Sequence, residues 1–288
     1  MILAIDLGNF NVKTSEGKIF SSCFKVQDLA SESFDKAVLS YDGVNYSMDR
    51  KDGFELEFNK ANKNYIPNLL YAIEQSCSEE VKEVQLILGV PISNMGLKDR
   101  FKAELEGKTF TFNMKGKPSR TITIDKLGVL PEGMSSFYAL SSAEREKDLL
   151  IIDIGGRTVN LASFRGKRVE KKTSLPMGTI NLYQNIADRF NLMGNNVDVT
   201  EVENFINKGF ISKDIYKPCY DEFINSIFNS IKLIANIEHY EKVWITGGGS
   251  IALREDLKTK YNKVECIENP IFSNVNGNKK VALAQWNK

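Results

Sequence analysis

Two stretches of this 288-residue chain follow one plan. Residues 2–14 read ILAIDLGNFNVKT, and residues 149–162 read LLIIDIGGRTVNLA. Each is an apolar run ending in Asp, then one apolar residue, a glycine, a short turn and a second strand-like segment. A continuous apolar run of this length suits a strand buried on both faces. A carboxylate at its end, Asp6 or Asp153, is tolerable only where a cation shares the site. Backbone N–H groups in such turns form anion-binding concavities, and glycine lets the backbone approach without a Cβ in the way. Two such hairpins at matching places in two halves imply a duplicated site gripping one polyphosphate from both sides. That pairing points to nucleotide chemistry with a divalent cation.

Composition excludes several alternatives. A hydrophobic content of 42% at this length supports sizeable cores and leaves room for two domains. The formal net charge is +1, so no global field favours nucleic acid or an anionic membrane, and direct DNA binding is not implied. No apolar run is long enough to span a bilayer, and the first residues enter a strand instead of a leader, so a cytoplasmic location is expected. Cys23, Cys77, Cys219 and Cys266 are scattered without a C-x-x-C, which suggests neither a zinc site nor a disulfide framework. The single histidine, His239, rules out histidine triads and multi-histidine metal centres and suits a helix end.

The pattern along the chain predicts strands over 2–6, 11–15 and 18–24, then a hairpin turning at Asp42-Gly43. A helix is expected over 59–77, where Pro67 is accommodated if the helix starts near Ile66. VQLILGVP reads as a buried strand, MGLKDRFKAEL as a short helix, 109–124 as a hairpin and 127–130 as a separate strand. A helix from 134 to about 143 leads into a charged connector, AEREKD. The domain boundary is placed there, giving a first domain over 1–147 and a second over 148–273, with a C-terminal helix, 274–288, returning to the first. The second half restarts with strands 149–153, 158–164 and 168–173. Helices follow over 179–190 after Gly178, one near Thr200 and Glu203 at capping-box spacing, and one over 215–239. Strand 242–246 ends in Gly247, Gly248 and Gly249 before a helix over 250–261.

Four segments carry the chemistry. In AIDLGNFNVK, Gly8 permits the turn through Asn9, Phe10 and Asn11, and Lys13 returns as a point charge for phosphate. A lone D-x-G turn is equally a plain hairpin. In IIDIGGRTVN, Gly155 and Gly156 make either a phosphate-cradling turn, to which Thr158 could donate a hydroxyl, or a tight β-hairpin. Arg157 either contacts phosphate or points to solvent. In ITGGGS, Gly247, Gly248, Gly249 and Ser250 allow a ribose or base to lie against bare backbone at a helix start. Glu132, between Pro131 and Gly133, either sits in a helix's first turn or orients an attacking water, since phosphoryl transfer needs in-line placement more than a strong base.

In this order, AIDLGNFNVK, VLPEGMSSFYAL, IIDIGGRTVNLA, ITGGGS and VNGNKKVALAQW resemble the actin, Hsp70 and hexokinase superfamily of ATPases over nearly the whole chain. Within it, LGVP before a helix, Pro131-Glu132, PMGTINL and NPIFSNVNG are most similar to the bacterial actin-like ParM family of plasmid-segregation proteins. The resemblance implies an α/β, two-domain, ribonuclease H-like fold with nucleotide in the interdomain cleft, and ATP or ADP with Mg²⁺ as ligands, GTP remaining an option. It further implies that Asp6 and Asp153 organise the hydrated metal, Lys13 contacts phosphate, Glu132 positions the water, and Gly178, Glu203 and Gly247 to Ser250 line the nucleoside. The implied partners are other copies in a filament and an adaptor bound to centromeric plasmid DNA. Two rivals are a small-molecule kinase of the same superfamily and a non-hydrolysing scaffold. One departure is Asn160, where many relatives place Asp; an amide hydrogen-bonds water but carries no negative charge to the metal.

Overall fold

The structure is a computed structural model, described here for residues 1–27, 37–53 and 62–286. The chain divides into two compact units, Met1–Ala139 with Asn274–Lys288, and Leu140–Ser273. The divide falls ahead of the charged connector at which the sequence places it.

Among the described residues, unit 1 has nine strands: β1 (Ile2–Leu7), β2 (Asn11–Thr14), β3 (Ile19–Ser21), β4 (Cys23–Val26), β5 (Val38–Tyr41), β6 (Val44–Arg50), β7 (Glu83–Val90), β8 (Thr109–Met114) and β9 (Arg120–Pro131). Their order in the sheet is β3-β2-β1-β7-β9-β8-β5-β6-β4. β1 pairs antiparallel with β2 and parallel with β7, which in turn runs parallel to β9. Parallel strands bury both faces. Helix Ile66–Ser76 supplies cover through Leu69, Leu70 and Ile73, all fully buried. Pro67 lies in its first turn, where a missing N–H costs nothing. The C-terminal helix, Ser273–Trp286, is seated on helix Met134–Ala139 so closely that a Cβ on Gly277 would lie 1.8 Å from the Ser135 carbonyl oxygen.

Several expected elements change at their edges. The segment 18–24 is two strands, β3 and β4, separated at Ser22. The hairpin at Asp42-Gly43 forms with φ of 50° and 73°, as a two-residue turn of that hand requires. The hairpin arm and the strand expected at 127–130 are one twelve-residue strand, β9. Gln85 Nε2 donates to Asp125 Oδ2 at 3.0 Å, and a register shift at Val84/Gln85 carries the polar Asp125-Lys126 pair through the sheet. The expected start of the helix at residue 59 lies outside the described residues.

Unit 2 is a five-stranded sheet: β10 (Leu149–Ile154), β11 (Val159–Arg165), β12 (Arg168–Leu175), β13 (Lys242–Thr246) and β14 (Val264–Cys266), ordered β12-β11-β10-β13-β14. β10 takes the place that β1 has in unit 1, between an antiparallel hairpin partner and a parallel neighbour. Helices Thr179–Asn191 and Lys213–Lys232 bury Ile186, Ile224, Ile227 and Ile231 against this sheet. The second of these ends at Lys232, not near His239. Asn236 Oδ1 accepts from the Glu238 N–H and starts a separate 3₁₀ turn, Ile237–His239, a local bond that competes with helix continuation. The helix expected over 250–261 is two, Gly249–Ala252 and Arg254–Lys260, parted at the buried Leu253. No capping box forms before helix Val202–Asn207, because the Thr200 hydroxyl donates to Asp198 Oδ1 at 2.7 Å.

Among the described residues no helix is long and apolar enough to cross a membrane, and all four cysteines are free thiols. The end of helix Ile66–Ser76 is locked by Arg120, whose guanidinium donates to Glu74 Oε2 at 2.8 Å and to the carbonyls of Cys77, Ser78 and Val81. Burial alone would raise the Glu74 pKa, but hydrogen bonds from Lys117 and Arg120 outweigh it and hold the carboxyl below its ordinary range. Both Arg120 and Glu74 are buried, so losing one strands the other's charge or carbonyl partners. Arg120→Ala is expected to lower unfolding stability by about 3–5 kcal/mol, measured by chemical denaturation.

Candidate functional site

Each unit carries a buried aspartate beside a glycine turn, and the two units use the same device. In unit 1, Asp6 near the end of β1 lies opposite Lys13 on β2 and Gly89 on β7. Lys13 Nζ is 3.1 Å from Asp6 Oδ2, and both are largely shielded from solvent. The turn between β1 and β2 needs glycine at position 8, since a Cβ there would lie 2.4 Å from the Asn11 carbonyl oxygen. The carbonyls of Asn9 and Phe10 are turned inward, where the Ser22 hydroxyl donates to both and the Ser22 N–H donates to Phe10. Asn68 Nδ2 in turn holds the Ser22 carbonyl at 2.8 Å. Consuming carbonyl oxygens inside the protein removes the groups that would repel an anion at the turn.

Unit 2 solves the same problem with a helix. The carbonyls of Gly155 and Gly156 accept from the N–H groups of Thr179 and Ile180 at 3.0 and 2.9 Å, and the Thr158 carbonyl accepts from Gly155. The loop therefore packs directly on the start of helix Thr179–Asn191. A Cβ on Gly178 would lie 2.3 Å from the Gly156 carbonyl oxygen, so only glycine fits that approach. Gly247, with φ of +82°, brings the end of β13 against β10: a Cβ there would lie 2.4 Å from Asp153 Oδ1. Gly249 is equally close to Ile154 and Thr179. Ser250, fully buried, donates its hydroxyl to the Gly247 carbonyl at 2.7 Å and fixes the glycine turn. Residues 155–158, Gly178 and 247–250 thus meet around the buried Asp153.

Thr158 is buried at the loop's exit. Asn160 Nδ2 donates to its hydroxyl oxygen at 3.3 Å, and Ser174 donates to Asn160 Oδ1 at 2.6 Å. With its oxygen accepting from Asn160, the Thr158 hydroxyl has its proton to offer. Arg157 stands in the loop with its Nε buried and without a hydrogen-bond partner among the described residues. Gly248 is open on its Cβ side.

Glu132 follows β9, buried, with its N–H donating to the Val90 carbonyl at 2.8 Å. Gly133, at φ of +74°, donates its N–H to Asn274 Oδ1, which also accepts from the Ser136 hydroxyl. The C-terminal helix thereby fixes the backbone that carries Glu132 beside Asp6. Glu203 lies on helix Val202–Asn207 of unit 2, where its charge acts on Tyr183 and Tyr220. Its side chain retains exposed surface, yet enough protein surrounds the carboxyl for burial to raise its pKa.

Three residues of this region are not among the candidates that the sequence singles out. Lys63, buried, donates Nζ to the Leu7 carbonyl at 2.8 Å and sets a second positive charge behind the first turn. Asn274 and Asn278 reach the Glu132 region from the far end of the chain. One of the two lysines in NKANKN and two of the asparagines in SNVNGN become distinctive only when the fold brings them together.

The residues fit a magnesium nucleotide. Magnesium keeps several waters and takes only one or two carboxylates alongside phosphate oxygens. Among the described residues no group of three or more His, Cys, Asp or Glu side chains could hold a metal, so there is no all-protein cage. A single buried carboxylate beside a turn that admits only glycine, Asp6 in one unit and Asp153 in the other, is the kind of donor such a complex takes.

The raised pKa of Glu203 gives a pH signature. Its stabilising contribution is complete in acid, below the ordinary carboxylate range, and is lost as pH rises through the raised value. Glu203→Gln is expected to match the parent's melting temperature in acid and to exceed it at neutral pH, in thermal unfolding across a pH series.

Comparison with known proteins agrees with this architecture. Residues 4–134 match the family described as the N-terminal domain of actin-like proteins. Among curated protein sequences, none matches the chain. Ta0583, an archaeal actin homologue, superposes with a TM-score of 0.85 at 18% identity, over 99% of each chain. The same homologue in complex with ADP gives 0.82 at 18% identity, over 99% of this chain and 100% of that one. A ParM from Clostridium botulinum, solved as a 15-stranded filament, gives 0.83 at 18% identity, over 98% of this chain and 99% of that one. The chain therefore has the actin-like fold, and residues 4–134 are similar to the N-terminal domain of actin-like proteins.

Proposed function

We propose that this protein is an ATPase whose nucleotide state controls its assembly into filaments. The observation that carries the reading is the repeated device around Asp6 and Asp153: a buried carboxylate at the end of a central strand, beside a glycine turn whose carbonyls are bound within its own unit. Support comes from the fold, from a neighbour of that fold holding ADP, and from another built into a filament. In this reading each turn is a phosphate-binding element. Lys13 and the Gly8 turn bind phosphate, the 155–158 turn binds it through backbone N–H groups and the Thr158 hydroxyl, and Arg157 adds charge. Gly178, Glu203 and residues 247–250 line the nucleoside. Asp6 and Asp153 are the carboxylates that would be available to a magnesium ion, which would neutralise charge at the phosphate oxygens when bound.

Glu132 orients the attacking water, and its buried backbone anchors keep the carboxylate in place. Asn160 beside Asp153 brings no further negative charge, so turnover is slow and ATP-bound polymer persists. The chemistry serves as a timer: nucleotide binding favours assembly and hydrolysis weakens it. Plasmid segregation is the biological role that fits, with other copies of the chain and a DNA-bound adaptor as partners and the cytoplasm as location. A net charge of +1 supports DNA contact through the adaptor instead of directly.

High-speed sedimentation with ATP, GTP, ADP and a non-hydrolysable analogue, with phosphate release followed in parallel, tests the reading. Polymer is expected with ATP and with the analogue, and loss of polymer as ADP accumulates. Acceptor-dependent ADP formation without polymer would instead mark a small-molecule kinase, and ATP binding with neither turnover nor polymer a scaffold. Glu132→Ala is expected to cut turnover by about a hundredfold or more while ATP-driven sedimentation persists. Asp6→Ala is expected to abolish the metal dependence of nucleotide binding, read by titration with a fluorescent ATP analogue with and without magnesium.

A further inference from the structure

The corner of unit 1 that holds Asp6 and Glu132 contains a polar side chain to which the nucleotide reading gives no task. Asn278, on helix Ser273–Trp286, is 0% exposed. Neither its amide nitrogen nor its amide oxygen has a hydrogen-bond partner among the described residues. Gly89 marks its place. A Cβ on that glycine would lie 3.4 Å from Asn278 Nδ2, 3.8 Å from Glu132 Cγ and 3.9 Å from Asp6 Cβ. Three polar side chains therefore surround a backbone position that has no side chain of its own.

A buried amide with both ends unpaired bears its full desolvation penalty, and leucine would fill a similar volume without it. The amide's chemistry fits water: Nδ2 donates, Oδ1 accepts, and the neighbouring carboxylates offer further acceptors, within the two to four polar partners that a buried water takes. A neutral amide also avoids placing a third carboxylate beside two others. We propose that Asn278 is a positioning residue, holding an ordered water that bridges its amide to the Glu132 carboxylate and fixes that carboxylate's orientation. This rests on the reading of Glu132 as the group that orients the attacking water.

The test is Asn278→Leu, with kinetics, nucleotide affinity and melting temperature measured together. The expected result is a fall in kcat for phosphate release of about tenfold, with affinity for a fluorescent ATP analogue within about twofold. The melting temperature of the nucleotide-free variant is expected to be equal or higher, because an unpaired amide has been replaced by an apolar group of similar size. Turnover equal to the parent's would overturn the proposal, as would a kcat loss that tracks a lower melting temperature. A high-resolution crystal structure of the parent gives a readout independent of activity and of the variant's folding. It is expected to show a water within hydrogen-bond distance of both Asn278 and Glu132, and an Asn278 amide bonded directly to protein atoms would sink the idea. Absence of hydrolysis in the parent would remove the reading of Glu132 itself, whereas the crystallographic result decides the bridge separately.

Discussion

A carboxylate at the end of a strand buried on both faces is the constraint from which the rest of this molecule follows. β1 and β10 are apolar along their length, and each delivers an aspartate to a place where water is scarce. Such a charge must be matched, and the two units match it in different ways. Asp6 has the Lys13 ammonium across the hairpin, with the buried Lys63 one turn of chain away. Asp153 has Asn160 across its hairpin, and the backbone of Gly247 pressed against its oxygen. The glycine turns beside them are the geometric counterpart, since a chain that places an acid beside an anion must offer N–H groups and hide its carbonyls.

Much of this is legible in the residues because it is written in backbone chemistry. The D-x-G motifs, Gly178 and the ITGGGS run announce close approaches that a Cβ forbids, and a Cβ placed on Gly8, Gly178, Gly247 or Gly249 would lie 2.3 to 2.4 Å from its nearest neighbour. The strand pattern of both halves is equally plain, since long apolar runs ending in glycine or proline leave few other options. The Asp42-Gly43 turn and the start of helix Ile66–Ser76 follow from φ preferences alone.

The rest depends on partners distant in sequence. Nothing in TITIDKLGVL says that Gln85 will take up Asp125 and let one strand run through twelve residues. The end of the helix at Lys232 is decided by an asparagine side chain bonding its own neighbourhood, which an apolar periodicity of 3.6 does not register. Thr200 has capping-box spacing, but Asp198 is nearer and takes its hydroxyl. Lys63, Asn274 and Asn278 are ordinary polar residues until tertiary packing buries them.

The close seating of Gly277 on Ser135 has a consequence for how the chain is made. Unit 2 is inserted between the bulk of unit 1 and the helix that completes it. During synthesis the first 139 residues emerge without their last packing element, and the whole of unit 2 must follow before that element leaves the ribosome. The later-synthesised unit is thus the one that can close its core first. The segment carrying Glu132 acquires its Asn274 clamp only after the whole of unit 2 has been made.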